Sequence, residues 1–328
     1  MGNVLITSGG RRVSLVKAFK NELRKIFPKA SVLVVDAFPE LSAAAQVADK
    51  YFTVSKIQEE GYIEELLRIC HENEVKLIIP TIDTELLLLS KHRNEFLEQG
   101  IHVVISDERI IEIAHNKKES HNFFEEIGIQ VARIYSKKNY IFPIFIKPFD
   151  GWNSMDNYII KDENDFTKNH FLNNRLLFFE YIDHELYNEY TCDLYYNKNG
   201  VLKCAIPRMR IEVRAGEVNK AVTKKNTLND LIKKKLGVLK GARGCITVQF
   251  FVHKTNNSII GIEINPRFGG GYPLAYLSGG NFPKWLIEEY LLGKEISFCD
   301  TWEENLLMLR YDDEILINRF RDEKSGHF

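Results

Sequence analysis

In the first third of the chain, short and almost wholly apolar runs alternate with stretches of helical periodicity. The runs are Val4–Thr7, Ser31–Asp36, Lys76–Pro80 and His102–Ile105. Between them lie the tight turn Ser8-Gly9-Gly10-Arg11-Arg12 and helical patterns over Val13–Ile26, residues 57–73 and Glu85–Phe96. A strand that is apolar on both faces has to be buried on both faces. Parallel strands meet that condition, because their crossover helices cover the sheet above and below. The spacing therefore predicts a parallel-sheet α/β domain over residues 1–112.

After a helical stretch at Lys117–Ile127 the pattern changes. From Tyr140 onward, strands come in antiparallel-looking pairs with turn residues between them. They are Pro143–Lys147, Tyr158–Ile160, Leu176–Tyr181, Cys192–Tyr196, Val201–Pro207, Cys245–His253 and Ile259–Asn265. Helices are predicted near 228–240 and 283–292. This second body, of α+β type, runs over residues 113–320 and leaves a polar, frayed tail at 321–328. Two domains also suit a chain of 328 residues.

The 44 Lys+Arg balance 45 Asp+Glu, so no basic field points to nucleic acid. No uncharged apolar run is long enough for a spanning helix, and the first residues lack the basic and apolar regions of a secretory signal. Cys70, Cys192, Cys204, Cys245 and Cys299 are odd in number and form no CxxC pair. They are expected to be reduced core residues of a cytoplasmic protein.

The sharpest chemical signal is a predicted hairpin. Cys245–Val252 and Ile259–Asn265 flank the turn residues Lys254–Ser258. Pairing symmetric about Asn256 sets Gln249 opposite Glu263, and residues two apart share a face, so Asn265 joins them. One carboxylate and two amide oxygens are hard ligands suited to Mg²⁺ carried by nucleotide phosphates. Arg267 falls on the same side, where a fixed cation stabilises charge on a transferring phosphoryl group. For any one of these residues alone, an ordinary solvated strand residue is the favoured reading. The combination interrupts an isoleucine-rich strand and leads into Gly269-Gly270-Gly271, where backbone can approach a ligand closely.

Weaker signals accompany it. Lys147 sits inside the apolar run Phe142–Pro148, and a buried lysine calls for an anionic partner such as phosphate. The segment after it contains Ser154 and suits a loop that closes over phosphates. Phe178-Phe179-Glu180-Tyr181-Ile182 can offer backbone groups to an adenine edge, and Glu189 lies near enough in sequence to serve ribose hydroxyls. Arg208 and Arg210 alternate on one strand face, near Arg214 and Lys220. They either clamp a carboxylate or phosphate or form a solvated basic edge. At the C-terminal ends of the first-domain strands, Arg11 or Arg12 could hold a substrate carboxylate and Asp83 or Glu85 an amine, although both acids are also good helix-start residues.

These stretches resemble the ATP-grasp superfamily, and within it the carbamoyl-phosphate-synthase-like carboxylate–amine ligases. The resemblance rests on VLITSGGRRVSLV, ADKYFTV, IIPTIDTEL, FPIFIKPFDGWNS, FEYIDHELYNEYTCDLYY, PRMRIEVRAGEVNKA, GCITVQFF and IEINPRFGGGYPLAYLSGGN, in the family's order. It implies a pre-ATP-grasp α/β domain followed by a two-subdomain ATP-grasp fold, divided here into 113–182 and 183–320. It implies Lys117 and Lys147 on the nucleotide phosphates, Ser154 in the closing loop, Glu180, Tyr181 and Ile182 at adenine, and Glu189 at ribose. Gln249, Glu263 and Asn265 would hold Mg²⁺, with Mn²⁺ an alternative. Arg267 would face the γ-phosphate, with Arg208 and Arg210 as further catalytic cations and Gly270 and Gly271 beside the substrate. The family usually has Asp before the first lysine, whereas Asn116 stands here.

The implied reaction joins a small-molecule carboxylate to an amine through an acyl phosphate, releasing ADP and phosphate. An amino acid or sugar acid would fit, no nucleic acid or membrane partner is implied, and a homodimer is one open arrangement. A non-catalytic ATP-binding protein with the same fold is the alternative, and an intact Gln249/Glu263/Asn265/Arg267 set argues against it. A nicotinamide oxidoreductase would need a glycine fingerprint that the first turn lacks.

Overall fold

The computed structural model describes residues 2–150, 156–214 and 216–318. The chain begins β1 (Asn3–Thr7), α1 (Val13–Ile26), β2 (Val32–Asp36), α2 (Ala43–Val47), β3 (Lys50–Thr53), α3 (Tyr62–Glu72), β4 (Val75–Ile79), α4 (Asp83–Lys91), α5 (Arg93–Glu98) and β5 (His102–Val103). The five strands form one parallel sheet in the order β3-β2-β1-β4-β5. Leu5, Leu33 and Ile78 are fully buried on one face beneath α3 and α4 residues such as Leu66 and Leu89. Val4, Ile6 and Val34 are equally buried on the other face.

The second part runs α6 (Glu108–His115), α7 (Lys117–Glu126), β6 (Ile134–Tyr135), β7 (Ile144–Pro148), β8 (Tyr158–Ile160), α8 (Lys168–Leu172), β9 (Leu176–Glu180), β10 (Tyr187–Tyr196), β11 (Leu202–Arg214), β12 (Glu217–Thr223), α9 (Thr227–Leu236), β13 (Gly244–His253), β14 (Ile259–Asn265), α10 (Tyr272–Leu277), α11 (Phe282–Leu291) and β15 (Leu307–Leu309). Strands β6-β9-β7-β8 make a small antiparallel sheet. Its core is Ile144, Ile146 and Phe178 against the rings of Tyr140, Phe142 and Phe166. Strands β14-β13-β10-β11-β12-β15 make a larger antiparallel sheet. One of its faces, with Cys192, Leu194, Val248, Phe250 and Ile264, is sealed by α6, α7 and α9. α10 and α11 turn back onto the first sheet, so Phe268, Tyr272, Phe282 and Leu286 share a core with Val4, Ile6 and Phe19.

Several predicted elements differ in extent. The helix expected from residue 57 starts at Tyr62, because Gly61 takes a left-handed φ of 90° at its N-cap. The helix expected over Glu85–Phe96 is two helices that meet at His92. The helix expected to reach residue 240 stops at Leu236. The strand expected to end at Pro207 continues to Arg214 and pairs with β12, which the sequence reading did not identify. β3 was likewise missed as a strand; its burial is slight, and its place is set by pairing with β2 rather than by an apolar pattern. Ser154 and the expected frayed tail at 321–328 lie outside the described residues.

One close approach fixes the two α+β parts together. Gly261 in β14 bridges to Val131 and donates its N–H to the Gln130 carbonyl at 2.7 Å. A Cβ there would lie 2.8 Å from the Phe124 ring of α7. Only a residue without a side chain lets that ring lie on the strand. No helix among the described residues is long and apolar enough to cross a membrane.

Candidate active site

Opposite its apolar face, the large sheet is polar. Antiparallel partners present their side chains on the same side. The registers Thr191↔Gln249, Gln249↔Glu263, Thr247↔Asn265 and Thr191↔Arg208 therefore align a polar stripe across β14, β13, β10 and β11. The predicted pairing of Gln249 with Glu263 is present, and a bulge follows it at Phe250. Glu263 Oε1 accepts from Gln249 Nε2 at 3.0 Å and from Asn265 Nδ2 at 3.1 Å. Arg210 Nη1 donates to Gln249 Oε1 at 3.3 Å and forms an ion pair with Glu189. Burial raises the Glu189 pKa; Arg210 opposes that shift and the nearby Glu263 reinforces it.

Two lysines converge on this stripe from the other subdomain. Lys147 on β7 is 8% exposed, with Nζ 4.8 Å from the centre of the Phe179 ring. Burial pushes its pKa down to about 8, against the pull of Glu263 and Glu189 and with the help of Lys117. Lys117 opens α7 and is also lowered by burial, opposed by Glu263, Asp150 and Asp83. Its N–H donates to the Phe149 carbonyl at 2.9 Å, which ties the start of α7 to the end of β7. Asn116 caps α7 by accepting from the Lys118 N–H at 2.9 Å, the role an Asp would fill at this position.

Glu180 ends β9, where its N–H donates to the Arg133 carbonyl and its carboxylate accepts from the Arg133 N–H at 3.2 Å. Tyr181 and Ile182 are half-buried in the link to β10. This places all three at the junction between the small sheet and the strand that carries Glu189.

Arg267 lies where the two domains meet. Its Nε and Nη2 donate to the Asp83 carboxylate of the first domain at 2.9 and 2.5 Å. Burial opposes the guanidinium charge, but Asp83 and Glu263 outweigh it and the pKa is raised. Arg12 lies close by, with Nη2 donating to the Thr81 carbonyl at 3.0 Å. Burial and then Arg267 lower its pKa to about 10, against Glu217 and Asp83. Arg11 is exposed and reaches Glu217 at 3.7 Å. Glu217, which the sequence reading did not single out, also lies against Gly270, where a Cβ would be 3.3 Å from its carboxyl carbon.

Sequence comparison adds the family. Residues 4–104 match the family described as PylC-like, N-terminal domain. Residues 173–309 match the family described as ATP-grasp in the biosynthetic pathway with Ter operon. The chain is an ATP-grasp superfamily member with a PylC-like N-terminal domain. ATP-grasp proteins bind ATP with Mg²⁺, and the family's enzymes are ATP-dependent, ADP-forming ligases. The search of curated proteins found no match. Among solved structures, this ATP-grasp chain is similar in fold to pyruvate carboxylase of Rhizobium etli (TM-score 0.63, 12% identity), covering 85% of this chain but only 27% of that one. It is similar to the biotin carboxylase domain of Hydrogenobacter thermophilus 2-oxoglutarate carboxylase bound to MgADP, ADP and bicarbonate, with TM-score 0.68, 14% identity, and coverage of 94% and 73%. It is also similar to N5-carboxyaminoimidazole synthetase of Staphylococcus aureus bound to ADP, with TM-score 0.65, 16% identity, and coverage of 94% and 80%.

Within this ATP-grasp frame, two expected residues are set apart from the open cleft. Arg208 was expected with Arg210 as an anion clamp. It is 1% exposed and its Nε and Nη2 are held by Asp193, itself 0% exposed, while Nη1 has no hydrogen-bond partner among the described residues. A Cβ at Gly271 would lie 2.3 Å from Arg208 Nη1, so the pair supports the glycine loop from behind. Glu85, expected as an amine ligand, is wholly buried and accepts from the Thr81 and Ile82 N–H groups, Ser8 and Tyr62. Its other reading, as a helix-start residue, is the one the fold uses. Arg214 and Lys220 pair with Asp312 and Glu212 on a solvated edge.

The Mg²⁺ ligand set has one requirement. Among the described residues no group of three or more His, Cys, Asp or Glu is gathered for a metal. The donors are Glu263 and two amides whose nitrogens now face it. A half-turn of the Asn265 amide presents its oxygen, and Gln249 presents Oε1 once that atom leaves Arg210, which gives the hard donors that suit an ion arriving with phosphates.

Proposed function

We propose that the chain is an ATP-dependent carboxylate–amine ligase that forms an amide through an acyl phosphate and releases ADP and phosphate. The observation that carries this reading is the adjacency of two sets of groups. Lys117, Lys147, Glu263, Gln249 and Asn265 converge from two subdomains, and Arg267 continues that set to Arg12 and Asp83 at the C-terminal edge of the first sheet. Open α/β sheets bind ligands at that edge.

In this reading Lys117 and Lys147 hold nucleotide phosphates, Glu180, Tyr181 and Ile182 line the adenine, Glu189 serves the ribose, and Ser154 belongs to the closing segment. Gln249, Glu263 and Asn265 would hold Mg²⁺, which neutralises phosphate charge when bound. Arg267 faces the transferring phosphoryl group and then the acyl phosphate with the guanidinium N–H groups that Asp83 leaves open, while Asp83 fixes its plane through Nε and Nη2. Arg210 keeps Gln249 and Glu189 in place. Arg11, Arg12, Gly270 and Gly271 border the carboxylate substrate. Catalysis then rests on positioning and electrostatics, and no protein nucleophile is needed.

The test combines two measurements. Thermal stabilisation by ATP should require Mg²⁺, and ADP release should appear only with a matching carboxylate and amine drawn from pools of amino acids and sugar acids. Similarity to carboxylase folds makes bicarbonate one member of the carboxylate pool. ADP release with bicarbonate and no other carboxylate would turn the reading toward carboxylation. ATP binding without turnover on any pair would favour a non-catalytic ATP-binding protein.

A further inference from the structure

Two of the five cysteines meet in space. Cys204 lies in β11 and Cys299 in the segment after α11, and they are facing partners of an isolated parallel bridge. The Cys299 N–H donates to the Lys203 carbonyl at 2.7 Å, which fastens the two backbones together. Cys204 is 0% exposed, whereas Cys299 is partly exposed and borders an open cavity of about 280 Å³ with Trp285, Glu288, Ile296, Phe298 and Thr301. The other three cysteines are buried.

Bridge partners point their side chains to one side, and adjacent strands lie about 4.8 Å apart. Disulfides span Cα separations of about 4.4–6.8 Å. The backbone is therefore already within disulfide range. The thiols also differ in character. The contact with Cys204, against burial and together with Thr301, lowers the Cys299 pKa to about 5, which favours its thiolate over that of Cys204. The same contact and burial raise Cys204, which stays protonated. One sulfur is a nucleophile with access to small solutes, and the other is a buried partner beside it.

We propose that Cys299 and Cys204 form a peroxide-reactive dithiol, a modification site separate from the nucleotide chemistry, with Cys299 as the attacking sulfur and Cys204 as the resolving one. The Cys299 thiolate attacks one oxygen of hydrogen peroxide and the O–O bond breaks. Cysteine sulfenic acid forms, and the departing hydroxide takes up a proton to become water. The Cys204 sulfur then attacks the Cys299 sulfur, and its proton leaves with the sulfenic hydroxyl as a second water. Two electrons pass from the thiols to the peroxide, and a Cys204–Cys299 disulfide remains. That bond ties the segment after α11 to β11, the strand that carries Arg208 and Arg210.

The test uses the full chain with equimolar hydrogen peroxide at neutral pH, followed by alkylation and peptide mass mapping. The expected product is a Cys204–Cys299 cross-linked peptide that dithiothreitol reverses. Before oxidation, Cys299 should alkylate at least about 10-fold faster than buried Cys70. In Cys204→Ser, dimedone should capture sulfenic acid on Cys299, whereas the unsubstituted protein should yield the disulfide. Should Cys204→Ser fail to fold, the cross-link map and alkylation rates of the unsubstituted chain still decide. Cys299 alkylating no faster than Cys70, or peroxide leaving Cys204 and Cys299 unlinked, would overturn the proposal.

Discussion

Lys147 and Arg208 are both cations set into apolar strands and almost sealed from water, yet they are held in opposite ways. Arg208 has a dedicated counter-ion, the equally buried Asp193. Lys147 rests on the Phe179 ring, with Glu263 and Glu189 near enough to act on its charge, and among the described residues no carboxylate forms an ion pair with it. A buried charge already matched is part of the scaffold. One held by a ring and by carboxylates at a distance leaves its strongest interaction open to a ligand. The sequence shows the same thing at both places, a cation between apolar neighbours. The difference lies in partners that only the fold brings near.

The largest expected effect tests the open side. Glu263→Ala should remove Mg·ATP turnover while the melting temperature of the free protein stays close to that of the parent. It takes away the single carboxylate among the three proposed metal ligands. Unaltered ADP release from a folded Glu263→Ala protein would falsify the metal assignment.

Arg267→Ala should lower kcat by about 10²-fold or more with little change in ATP affinity, as when a transition-state donor is lost. Arg267→Lys should recover little of it, since a point ammonium lacks the planar fork. Asp83→Asn should cost less, about 10-fold in kcat, because it loosens the grip on Arg267 without removing the cation. Steady-state kinetics beside nucleotide titrations separate these outcomes, and equal losses from Asp83→Asn and Arg267→Ala would erase the distinction.

On the closed side, Asp193→Ala should destabilise the protein by about 3–5 kcal/mol, because it strands a buried guanidinium. Whatever folded protein remains should bind nucleotide as before. Denaturant titration with and without Mg·ATP checks this, and a selective loss of nucleotide affinity would move Arg208 back to the open side of the comparison.

Lys147 should show the reverse signature. Burial lowers its pKa from 10.5 in the ordinary state to about 8 in the fold. Between those values the unfolded chain binds the extra proton, so stability rises with pH across that window. Below about 8 the cost of burying the charge, a few kcal/mol, is present in full. Lys147→Met should therefore stabilise the nucleotide-free protein at pH 7, flatten that alkaline rise, and weaken ATP binding. A variant that is both less stable and unchanged in ATP affinity would remove Lys147 from the open side. The groups bearing on it are Glu263, Lys117, Glu189 and the neighbouring His121.

How much was legible follows from the distance between partners along the chain. The hairpin of β13 and β14 was readable because its turn is short and its apolar and polar residues alternate, so the Gln249–Glu263 pairing came from counting. The parallel sheet was readable from its uninterrupted apolar runs. Arg208 was misplaced because Asp193 lies on another strand and nothing in its own neighbourhood names it. Asp83 and Arg267 come from different domains, and no local pattern joins them. Glu217 was missed because β12 has no clear alternation and its contacts, Arg11 and the glycine loop, are remote in sequence. The break at His92 was hidden because periodicity continues on either side of it.

Gly261 makes the spacing of the nucleotide cleft a matter of thickness. The Phe124 ring of α7 lies directly on the backbone of β14, so the gap between the helix that begins with Lys117 and the strand that carries Glu263 is one aromatic ring deep. A single methyl at residue 261 acts as a shim. It prises the lysine proposed to face phosphate from the carboxylate proposed to hold the metal without altering either. An added methyl at Gly261 therefore misaligns the two halves of the cleft as one unit, like a hinge pin a size too large.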